Sequence, residues 1–538
     1  MAIPAQPSLS GPLASPEAAV TPPRPVESRN PATGEVWARY TTTTSADVRS
    51  AASRARIAQT AWAAEPVATR VRALRRFHDC LYRRRIELAT VLTRENGKPV
   101  AEALANEVAI ALDFAGFYAK RAPRFLRTRW TGATPLAMKR KRIRISHEPW
   151  GVIGVISPWN YPLMLSAAIV LPALVVGNAV LLKPSEFTPA SGSLLAELFI
   201  DAGIPPDVFQ VLQGDGSTGA ALCESDVDKI FFTGSEATGR KVALACATWL
   251  LPCSLELGGS DAAIVLADAD LKHAASGIAW GRFSNGGQTC VAPKRVFVEA
   301  AVYDPFVAAL ETVMRSLHVG AGSTPESDVG PMIRPDAVVT LTAQRDDALA
   351  RGASMVTADA GEAPAGSFFA PTLLLNVPAD ARVLQEETFG PLLPVVKVRD
   401  AREAVALANA GDFGLSASIW SADTARAARL AGEIRAGSVT INDAIVAAGI
   451  ADVPHGGVRH SGWGRTHGMA GLEECVRTKA TVADRFSRWR QAWWFGYGEQ
   501  HAAGIVAYVR LAHGTSSLDR IRALPVFLKL LFAPKRPV

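Results

Sequence analysis

Cys290 lies in a segment whose composition suits nucleophilic chemistry. It closes the run Phe283-Ser-Asn-Gly-Gly-Gln-Thr-Cys290, in which two glycines permit a tight loop that a flat ring can approach closely. A free thiol titrates near pH ~8.5, so a nucleophilic cysteine needs local help to become a thiolate. Taken alone, such a residue would more often be a small buried apolar side chain. Whether Cys290 is a nucleophile or a structural residue depends on the polar residues around it.

Two other polar residues could complete a site around this thiol. Glu256 lies in the run Leu255-Glu256-Leu257-Gly258-Gly259, where apolar neighbours should raise its pKa and suit it to take a proton from water. A solvent-facing acid on a strand is the alternative interpretation. Asn160 lies in Ser157-Pro158-Trp159-Asn160-Tyr161-Pro162, a loop fixed by two prolines, and its amide could donate hydrogen bonds to an oxyanion.

These residues lie in a chain whose strands and helices alternate. The hydrophobic pattern predicts helices over residues 46–64, 67–95 and 100–120, followed by short apolar strands at 152–156, 179–182, 208–212 and 229–232 with helices between them. Such alternation predicts parallel sheets covered by helices on both faces. The second half of the chain shows the same alternation of predicted strands and helices. We therefore predict an α/β fold with two doubly wound parallel-sheet domains.

Composition indicates a globular protein without a metal site. The chain has 538 residues, 49% of them hydrophobic and 20% charged, which is enough for two or three compact units. Its six cysteines lack CxxC spacing and its nine histidines form no ligand cluster, so we expect a reducing compartment and no metal. Residues 1–27 are rich in Pro, Ala and Ser, and we expect them to be disordered. We expect no membrane-spanning helix and a cytoplasmic location.

The net charge of +7 comes from the C-terminal segment. Residues 485–538 contain nine Lys or Arg and two acidic residues, whereas the rest of the chain contains 48 of each kind. The rest of the chain is neutral overall, which argues against nucleic-acid binding.

The extension 486–538 also holds Trp and Phe among its basic residues, a composition that fits peripheral contact with anionic lipid. A tail packed over a neighbouring subunit or the substrate entrance is the alternative.

In this order the motifs resemble those of the aldehyde dehydrogenase superfamily, from about Asn30 to Lys479. The resemblance is carried by the runs around Asn160, Glu256 and Cys290 together with five others: Lys183-Pro-Ser-Glu186, Phe232-Thr-Gly-Ser-Glu-Ala-Thr-Gly239, Glu386-Glu-Thr-Phe-Gly-Pro391, Gly437-Ser-Val-Thr-Ile-Asn442 and Pro454-His-Gly-Gly-Val-Arg-His-Ser-Gly462. It implies oxidation of an aldehyde to a carboxylate with NAD(P). Relatives that transfer the acyl group to CoA typically lack the water-activating glutamate, so its presence favours hydrolysis.

The resemblance also implies a role for each catalytic residue. Cys290 attacks the aldehyde carbon to give a thiohemiacetal, while the Asn160 side chain and the Cys290 backbone N–H hold the oxyanion. Hydride transfer to the nicotinamide leaves a thioester, and Glu256 activates the water that hydrolyses it. Covalent capture divides one difficult step into two easier ones.

A dinucleotide site is implied as well. Gly234, Ser235 and Gly239 follow a predicted strand and open a helix, which is the context of a phosphate-binding turn. Lys183 and Glu186 are expected at the adenosine ribose. Because a carboxylate at Glu186 would accept from ribose hydroxyls and repel a 2′-phosphate, we expect NAD, with NADP as the alternative. The other expected cofactor contacts are Ile156, Trp159, Gly216, Leu257, Glu387 and Phe389.

The motifs leave the aldehyde itself open. Succinate-semialdehyde enzymes of the commonest kind carry an arginine eight residues after the oxyanion asparagine, and here that position is Ala168. The apolar residues Leu163, Met164 and Leu165 fit a hydrophobic aliphatic or aromatic aldehyde. We therefore expect such a substrate and keep succinate semialdehyde as the alternative.

By resemblance, the chain divides into three parts. They are a Rossmann-like dinucleotide-binding domain from residues 28–126 and 147–255, a catalytic domain from residues 256–451, and a bridging element from residues 127–146 and 471–485. In the family, the bridging element pairs strands between subunits. A homodimer or homotetramer is implied on that basis alone.

Overall fold

The computed structural model describes residues 24–135, 138–358, 367–485, 494–495 and 497–532. The strands are β1 (Val26–Arg29), β2 (Val36–Tyr40), β3 (Arg129–Gly132), β4 (Lys141–Pro149), β5 (Val152–Ile156), β6 (Ala179–Lys183), β7 (Phe209–Val211), β8 (Lys229–Thr233), β9 (Cys253–Glu256), β10 (Asp261–Val265), β11 (Pro293–Glu299), β12 (Ser354–Thr357), β13 (Thr372–Leu375), β14 (Leu392–Val398), β15 (Ser416–Trp420), β16 (Ser438–Ile441), β17 (Gly462–Trp463) and β18 (Val476–Asp484).

The α-helices surround and connect these strands. They are α1 (Ser45–Ala64), α2 (Val67–Arg83), α3 (Arg85–Asn96), α4 (Val100–Ala103), α5 (Ile110–Phe125), α6 (Pro162–Val176), α7 (Pro189–Asp201), α8 (Gly216–Cys223), α9 (Glu236–Thr248), α10 (Leu271–Phe283), α11 (Tyr303–Arg315), α12 (Pro335–Ala350), α13 (Arg382–Gln385), α14 (Ala401–Ala410), α15 (Thr424–Ala431), α16 (Gly468–Glu474), α17 (Glu499–His513) and α18 (Ser517–Phe532).

The first large sheet has the strand order β17-β9-β8-β5-β6-β7. Its strands run parallel except for β17, which pairs antiparallel with β9. Side chains of β5 alternate between the two faces: Ile153 and Val155 enter one apolar core, and Val152 and Ile156 enter another. Helices therefore cover both faces, as the continuous apolar strands predicted.

The second large sheet has the order β12-β13-β14-β11-β10-β15-β16. It is parallel except where β12 pairs antiparallel with β13. Strand β10 again divides its side chains, with Ala263 and Val265 in one core and Ala262 and Ile264 in another. The predicted α/β architecture with two doubly wound parallel sheets is confirmed.

A third, three-stranded antiparallel sheet has the order β18-β4-β3. Its strands come from the two segments predicted to form the bridging element, and β4 continues to Pro149, three residues past the predicted end of the first segment at residue 146. Most of β18 is exposed. Pairing of this sheet with another subunit stays a prediction, as do the domain boundaries.

Two of the expected helices differ from the helices in the structure. The expected helix over residues 67–95 divides at Arg84, where α2 and α3 meet. The expected helix over residues 100–120 contains a π-helical stretch, Leu104–Ala109, and such stretches frequently accompany functional sites. Of the segment expected to be disordered, residues 1–23 lie outside the described residues, and β1 begins at Val26.

The C-terminal extension contains two helices, α17 and α18, that pack against each other. We call residues 499–532 the C-terminal hairpin. The remaining parts of the extension, residues 486–493, 496 and 533–538, lie outside the described residues. In the described part of the chain, no helix is long and apolar enough to cross a membrane.

Three of these elements bring the predicted catalytic residues to one place. Asn160 follows the carboxyl end of β5, Glu256 ends β9, and Cys290 precedes β11. In open α/β sheets the carboxyl ends of parallel strands are where ligands bind. The candidate site therefore lies in the crevice between the first and second sheets.

Candidate active site

Asn160, Glu256 and Cys290 line one cleft with a volume of about 770 Å³. Cys290 also lines a second cavity of about 220 Å³, whose walls are mostly apolar. The thiol therefore stands where two separate cavities meet. A ligand in each cavity could reach the same sulfur.

The loop before Cys290 has a backbone that only certain residues permit. Asn285, Gly286 and Gly287 have φ values of 54°, 61° and 75°, in the left-handed region. A Cβ on Gly287 would lie 2.4 Å from the backbone carbon of Gly390, so the close approach of two backbones requires glycine. Gln288 donates from Nε2 to the carbonyl oxygen of Asn285 at 2.9 Å. The loop is thereby held in one shape.

A buried lysine fixes the other end of this loop. Lys294 donates from Nζ to the carbonyl oxygens of Thr289 at 3.0 Å and of Cys290 at 2.5 Å. Low-dielectric surroundings raise the pKa of the Cys290 thiol to about 12, although the Lys294 charge opposes the shift. In the free protein the thiol is therefore protonated near neutral pH and needs a base to react.

Glu256 has the surroundings expected of such a base. Neither of its buried carboxyl oxygens has a hydrogen-bond partner in the described part of the chain. Burial raises the pKa of Glu256 well above its usual range, and the nearby Arg465 only partly opposes this shift. A small cavity of about 10 Å³ lies between Glu256 and Cys290, about the space of one water molecule. The carboxyl group is thus placed to hold a water beside the sulfur.

The Asn160 side chain is held against the nucleophile loop. Its Nδ2 donates to the carbonyl oxygen of Gln288 at 3.0 Å, and because an amide group carries two hydrogens, one remains to face a substrate oxygen. The Asn160 carbonyl accepts hydrogen bonds from Lys98 Nζ at 2.7 Å and from Asn285 Nδ2 at 2.9 Å. This arrangement can serve as an oxyanion site.

Sequence analysis missed the ion pair beneath this site. Lys98 and Glu107 are both fully buried and lie 2.6 Å apart, Nζ to Oε1. The other carboxyl oxygen of Glu107 accepts from the backbone N–H groups of Leu163 and Met164 at 2.8 and 3.2 Å, at the start of α6. A lysine and glutamates within a largely apolar stretch were a visible signal, but their partners are distant in sequence.

Glu102 joins the same cluster. Its Oε1 accepts from the backbone N–H of Asn285 at 2.6 Å, and burial raises the pKa of Glu102 to about 7. Lys98, Glu102 and Glu107 thus connect the helical region 98–109 to both the oxyanion loop and the nucleophile loop. They position catalytic groups without lining the cleft.

The large cleft holds nearly all the residues predicted to bind a dinucleotide. Ile156, Trp159, Lys183, Glu186, Gly216, Gly234, Ser235, Leu257, Glu387 and Phe389 line it. Gly239 is not among the lining residues: it lies one helical turn inside α9, where its added Cβ would meet Leu257 Cδ2 at 2.4 Å. Its role in the structure is close packing of α9 against Leu257. Lining residues that sequence analysis missed include Ser185, Phe187, Ala220, Cys223, Lys241, Val242, Ala245 and Arg334.

The chemistry of this cleft fits a nicotinamide dinucleotide. Helix α9 directs its N-terminal N–H groups toward the cleft beyond Gly234, which suits a pyrophosphate. Two carboxylates line the cleft, and one of them, Glu186, accepts from Lys183 Nζ at 3.1 Å. The other, Glu387, accepts from the Gly259 N–H with its Oε1 at 3.0 Å, which leaves its second oxygen for a ribose hydroxyl.

The second cavity, which we call the apolar channel, reaches Cys290 from another side. Its lining residues are Asn106, Ile110, Tyr161, Met164, Leu165, Trp280, Thr289, Cys290, Val291, Ile445, Val446, Ala448, Gly449, Ile450 and His455. In the described part of the chain this lining contains no Lys or Arg. Burial lowers the pKa of His455 to about 4, so its ring is neutral at pH 7. Ala168 borders the small cavity at Glu256 instead of the channel.

Comparison with known proteins agrees with the geometry. The profile of the aldehyde dehydrogenase family matches residues 19–481. A 4,4'-diapolycopene aldehyde oxidase from Methylomonas sp is 38% identical over 489 residues, covering 91% of each chain. An NADP(+) succinate-semialdehyde dehydrogenase from Deinococcus radiodurans is 38% identical and covers 87% of this chain and 97% of its own.

Solved structures show the same similarity. The NAD+ complex of an aldehyde dehydrogenase from Bacillus cereus superposes with a TM-score of 0.82 at 32% identity, covering 86% of this chain and 93% of its own. Both forms of nicotinamide dinucleotide thus occur among the similar proteins.

Replacing Lys98 should destabilise the fold. Lys98→Met leaves Glu107 buried without its counter-ion, so we expect the free energy of unfolding to fall by about 3–5 kcal/mol. Urea unfolding measures this loss. The matched control is Arg315→Met, which breaks the exposed Arg315–Glu311 pair and should cost less than about 1 kcal/mol. Equal losses in the two variants would contradict a stabilising role for the buried Lys98–Glu107 pair.

Alkylation of the free protein should report the raised pKa of Cys290. Because only the thiolate reacts, the rate with iodoacetamide should rise about tenfold per pH unit between about pH 7 and 9. Intact mass follows the reaction, and Cys290→Ala identifies the signal. Cys253→Ser removes the other half-buried thiol. A rate that is already constant above about pH 7 would show that the free thiol is activated instead.

Proposed function

Since the chain belongs to the aldehyde dehydrogenase family and is an NAD(P)-dependent oxidoreductase, we propose that it oxidises a hydrophobic aliphatic or aromatic aldehyde to the carboxylate. In this proposal Cys290 is the nucleophile, Glu256 the general base and Asn160 the oxyanion donor. The observation that carries the substrate class is the apolar channel, which reaches the Cys290 sulfur and whose lining, among the residues that the structure describes, contains no Lys or Arg.

The first half of the reaction forms a bond to sulfur. A base removes the Cys290 proton, and the sulfur adds to the aldehyde carbon to give a thiohemiacetal. The oxygen that becomes negative is stabilised by the free hydrogen of Asn160 Nδ2 and by the Cys290 backbone N–H. When bound in the cleft, the nicotinamide ring supplies the hydride acceptor. Loss of hydride from the carbon leaves the acyl group on sulfur as a thioester.

The second half needs water beside that thioester. Glu256, whose pKa burial raises well above its usual range, takes a proton from the water as its oxygen attacks the acyl carbon. The same oxyanion donors stabilise the tetrahedral intermediate. Its collapse releases the carboxylic acid, which ionises, and returns the thiol. The small cavity between Glu256 and Cys290 suits this water.

The channel supports an apolar substrate on energetic grounds. Met164, Trp280, Ile445 and Ile450 contribute large apolar surface to it, and burial of apolar surface contributes about 25 cal/mol per Å². A substrate with a second carboxylate would lose its hydration there without gaining a cation. The relative named 4,4'-diapolycopene aldehyde oxidase is consistent with an apolar aldehyde.

Succinate semialdehyde is the second candidate. It is favoured by relatives of that name at similar identity. The absence of Lys and Arg from the described channel lining opposes it. The cofactor choice is likewise a proposal: Glu186 favours NAD, because its carboxylate would repel a 2′-phosphate.

The substrate proposal is tested by kcat/KM across a panel of aldehydes. We expect NADH formation with decanal and cinnamaldehyde to exceed that with succinate semialdehyde, and Cys290→Ala to abolish all of it. Ile450 is 41% exposed at the channel, so Ile450→Arg adds a cation without burying it. That variant should shift the ratio toward succinate semialdehyde by about two- to fivefold, the effect of an exposed ion pair.

Ile450→Met is the matched control and should leave the ratio nearly unchanged. Selective wild-type activity on succinate semialdehyde would overturn the substrate class and leave the mechanism intact. NADH formation that persists in Cys290→Ala would overturn the mechanism.

Glu186→Ser should improve the use of NADP. The change removes a negative charge and leaves Lys183 without its 3.1 Å partner, so kcat/KM with NADP relative to NAD should rise about tenfold or more. Glu197→Ser, at an exposed glutamate paired with Arg84, is the control for loss of a charge. An unchanged ratio in Glu186→Ser would place the discriminating residue elsewhere.

A further inference from the structure

The C-terminal hairpin forms a small core of its own. Ala507 of α17 and Ala523 and Phe527 of α18 are buried together, and the Tyr508 ring lies 5.5 Å from that of Phe527. Among the described residues, every member of this apolar cluster comes from the hairpin itself. The two sheet domains therefore do not supply its hydrophobic contacts.

The hairpin leaves a second set of apolar side chains in water. Leu518, Ile521, Leu524 and Leu528 are between 42% and 68% exposed. They recur at intervals of three and four residues, so they form one stripe along α18 beside the packed residues Ala523 and Phe527. On α17, Val506 and Val509 are each 51% exposed. An exposed apolar stripe such as the one on α18 indicates an interaction surface.

Cations accompany the apolar stripe. On α18 Arg520, Arg522 and Lys529 are exposed, and on α17 Arg510 is exposed. The whole segment 485–538 has nine Lys or Arg against two acidic residues, while the rest of the chain is balanced. Long basic side chains can lay their apolar stems along a lipid surface and extend the charge toward phosphates. Apolar and basic side chains on one short helix suit an anionic membrane interface.

We propose that the C-terminal hairpin docks the protein on an anionic lipid surface. Leu518, Ile521, Leu524 and Leu528 enter the boundary between headgroups and acyl chains, and the neighbouring basic residues contact lipid phosphates. A second copy of the hairpin is a poorer occupant because it would bring the same cations face to face. The inference does not depend on which aldehyde the site accepts.

Cosedimentation of the full chain with vesicles tests this inference. We use phosphatidylcholine vesicles with and without about 30% phosphatidylglycerol. The protein should bind the anionic vesicles, and Ile521→Glu/Leu528→Glu should weaken that binding about tenfold or more. The matched control is Ile57→Glu/Val339→Glu. It places the same charges at residues of α1 and α12 that are 77% and 69% exposed, and it should bind like the wild type.

A second variant separates charge from apolar contact. Arg522→Gln/Lys529→Gln keeps the apolar stripe and should weaken binding to the anionic vesicles alone. NADH formation from a short soluble aldehyde should be equal in all variants, which shows that each has folded. Absence of wild-type binding, or equal binding by Ile521→Glu/Leu528→Glu and its control, would overturn the proposal. A fall in oligomeric mass in that variant without wild-type vesicle binding would assign the stripe to a second copy.

Discussion

The catalytic loops depend on one buried ammonium group. The Lys98 Nζ is shielded from solvent, pairs with Glu107, donates to the Asn160 carbonyl and lies 3.9 Å above the centre of the Tyr161 ring. Burying such a charge costs several kcal/mol unless its hydrogen bonds are satisfied. Here the acceptors belong to separate segments, so satisfying the lysine fixes those segments relative to one another. The geometry around Cys290 is a consequence.

Burial in low-dielectric surroundings has different consequences for the Lys98–Glu107 pair and for the reactive groups Glu256 and Cys290. Lys98 and Glu107 are buried with partners, so their charges hold structure in place. Glu256 is buried without a hydrogen-bond partner among the described residues, and its carboxyl group retains its affinity for protons. The same desolvation keeps the Cys290 thiol protonated in the free protein. The buried groups that have hydrogen-bond partners therefore hold the loops in place, whereas Glu256, which has none among the described residues, stays available for proton transfer.

The sequence predicted those features of the structure that depend on residues close together in the chain. Apolar strands buried on both faces, such as β5 and β6, were visible because every residue in them is apolar or small, except for the terminal Lys183. Most of the cleft residues were named because their motifs resemble those of a known family, and the structure places them along one cleft. The Lys98 cluster was not found, because the loop groups that it contacts lie between 56 and 183 residues away in the sequence. The apolar channel joins segments from four parts of the chain. Gly239 shows the limit of a motif: it marks a packing contact against Leu257 instead of the cleft wall.

The wall of the channel is built at a conformational cost. Ile445 has a φ of 52°, a value that a β-branched side chain rarely adopts, and such strain costs on the order of 1–3 kcal/mol. Its side chain packs with Val291, Leu415, Ala448 and Cys290 in one apolar cluster. A glycine or asparagine at position 445 would relieve the strain. Glycine, however, would remove apolar surface from the channel wall, and asparagine would make it polar. The strained backbone holds a branched apolar side chain beside the Cys290 sulfur, and this placement supports the proposed apolar substrate independently of any relative's name.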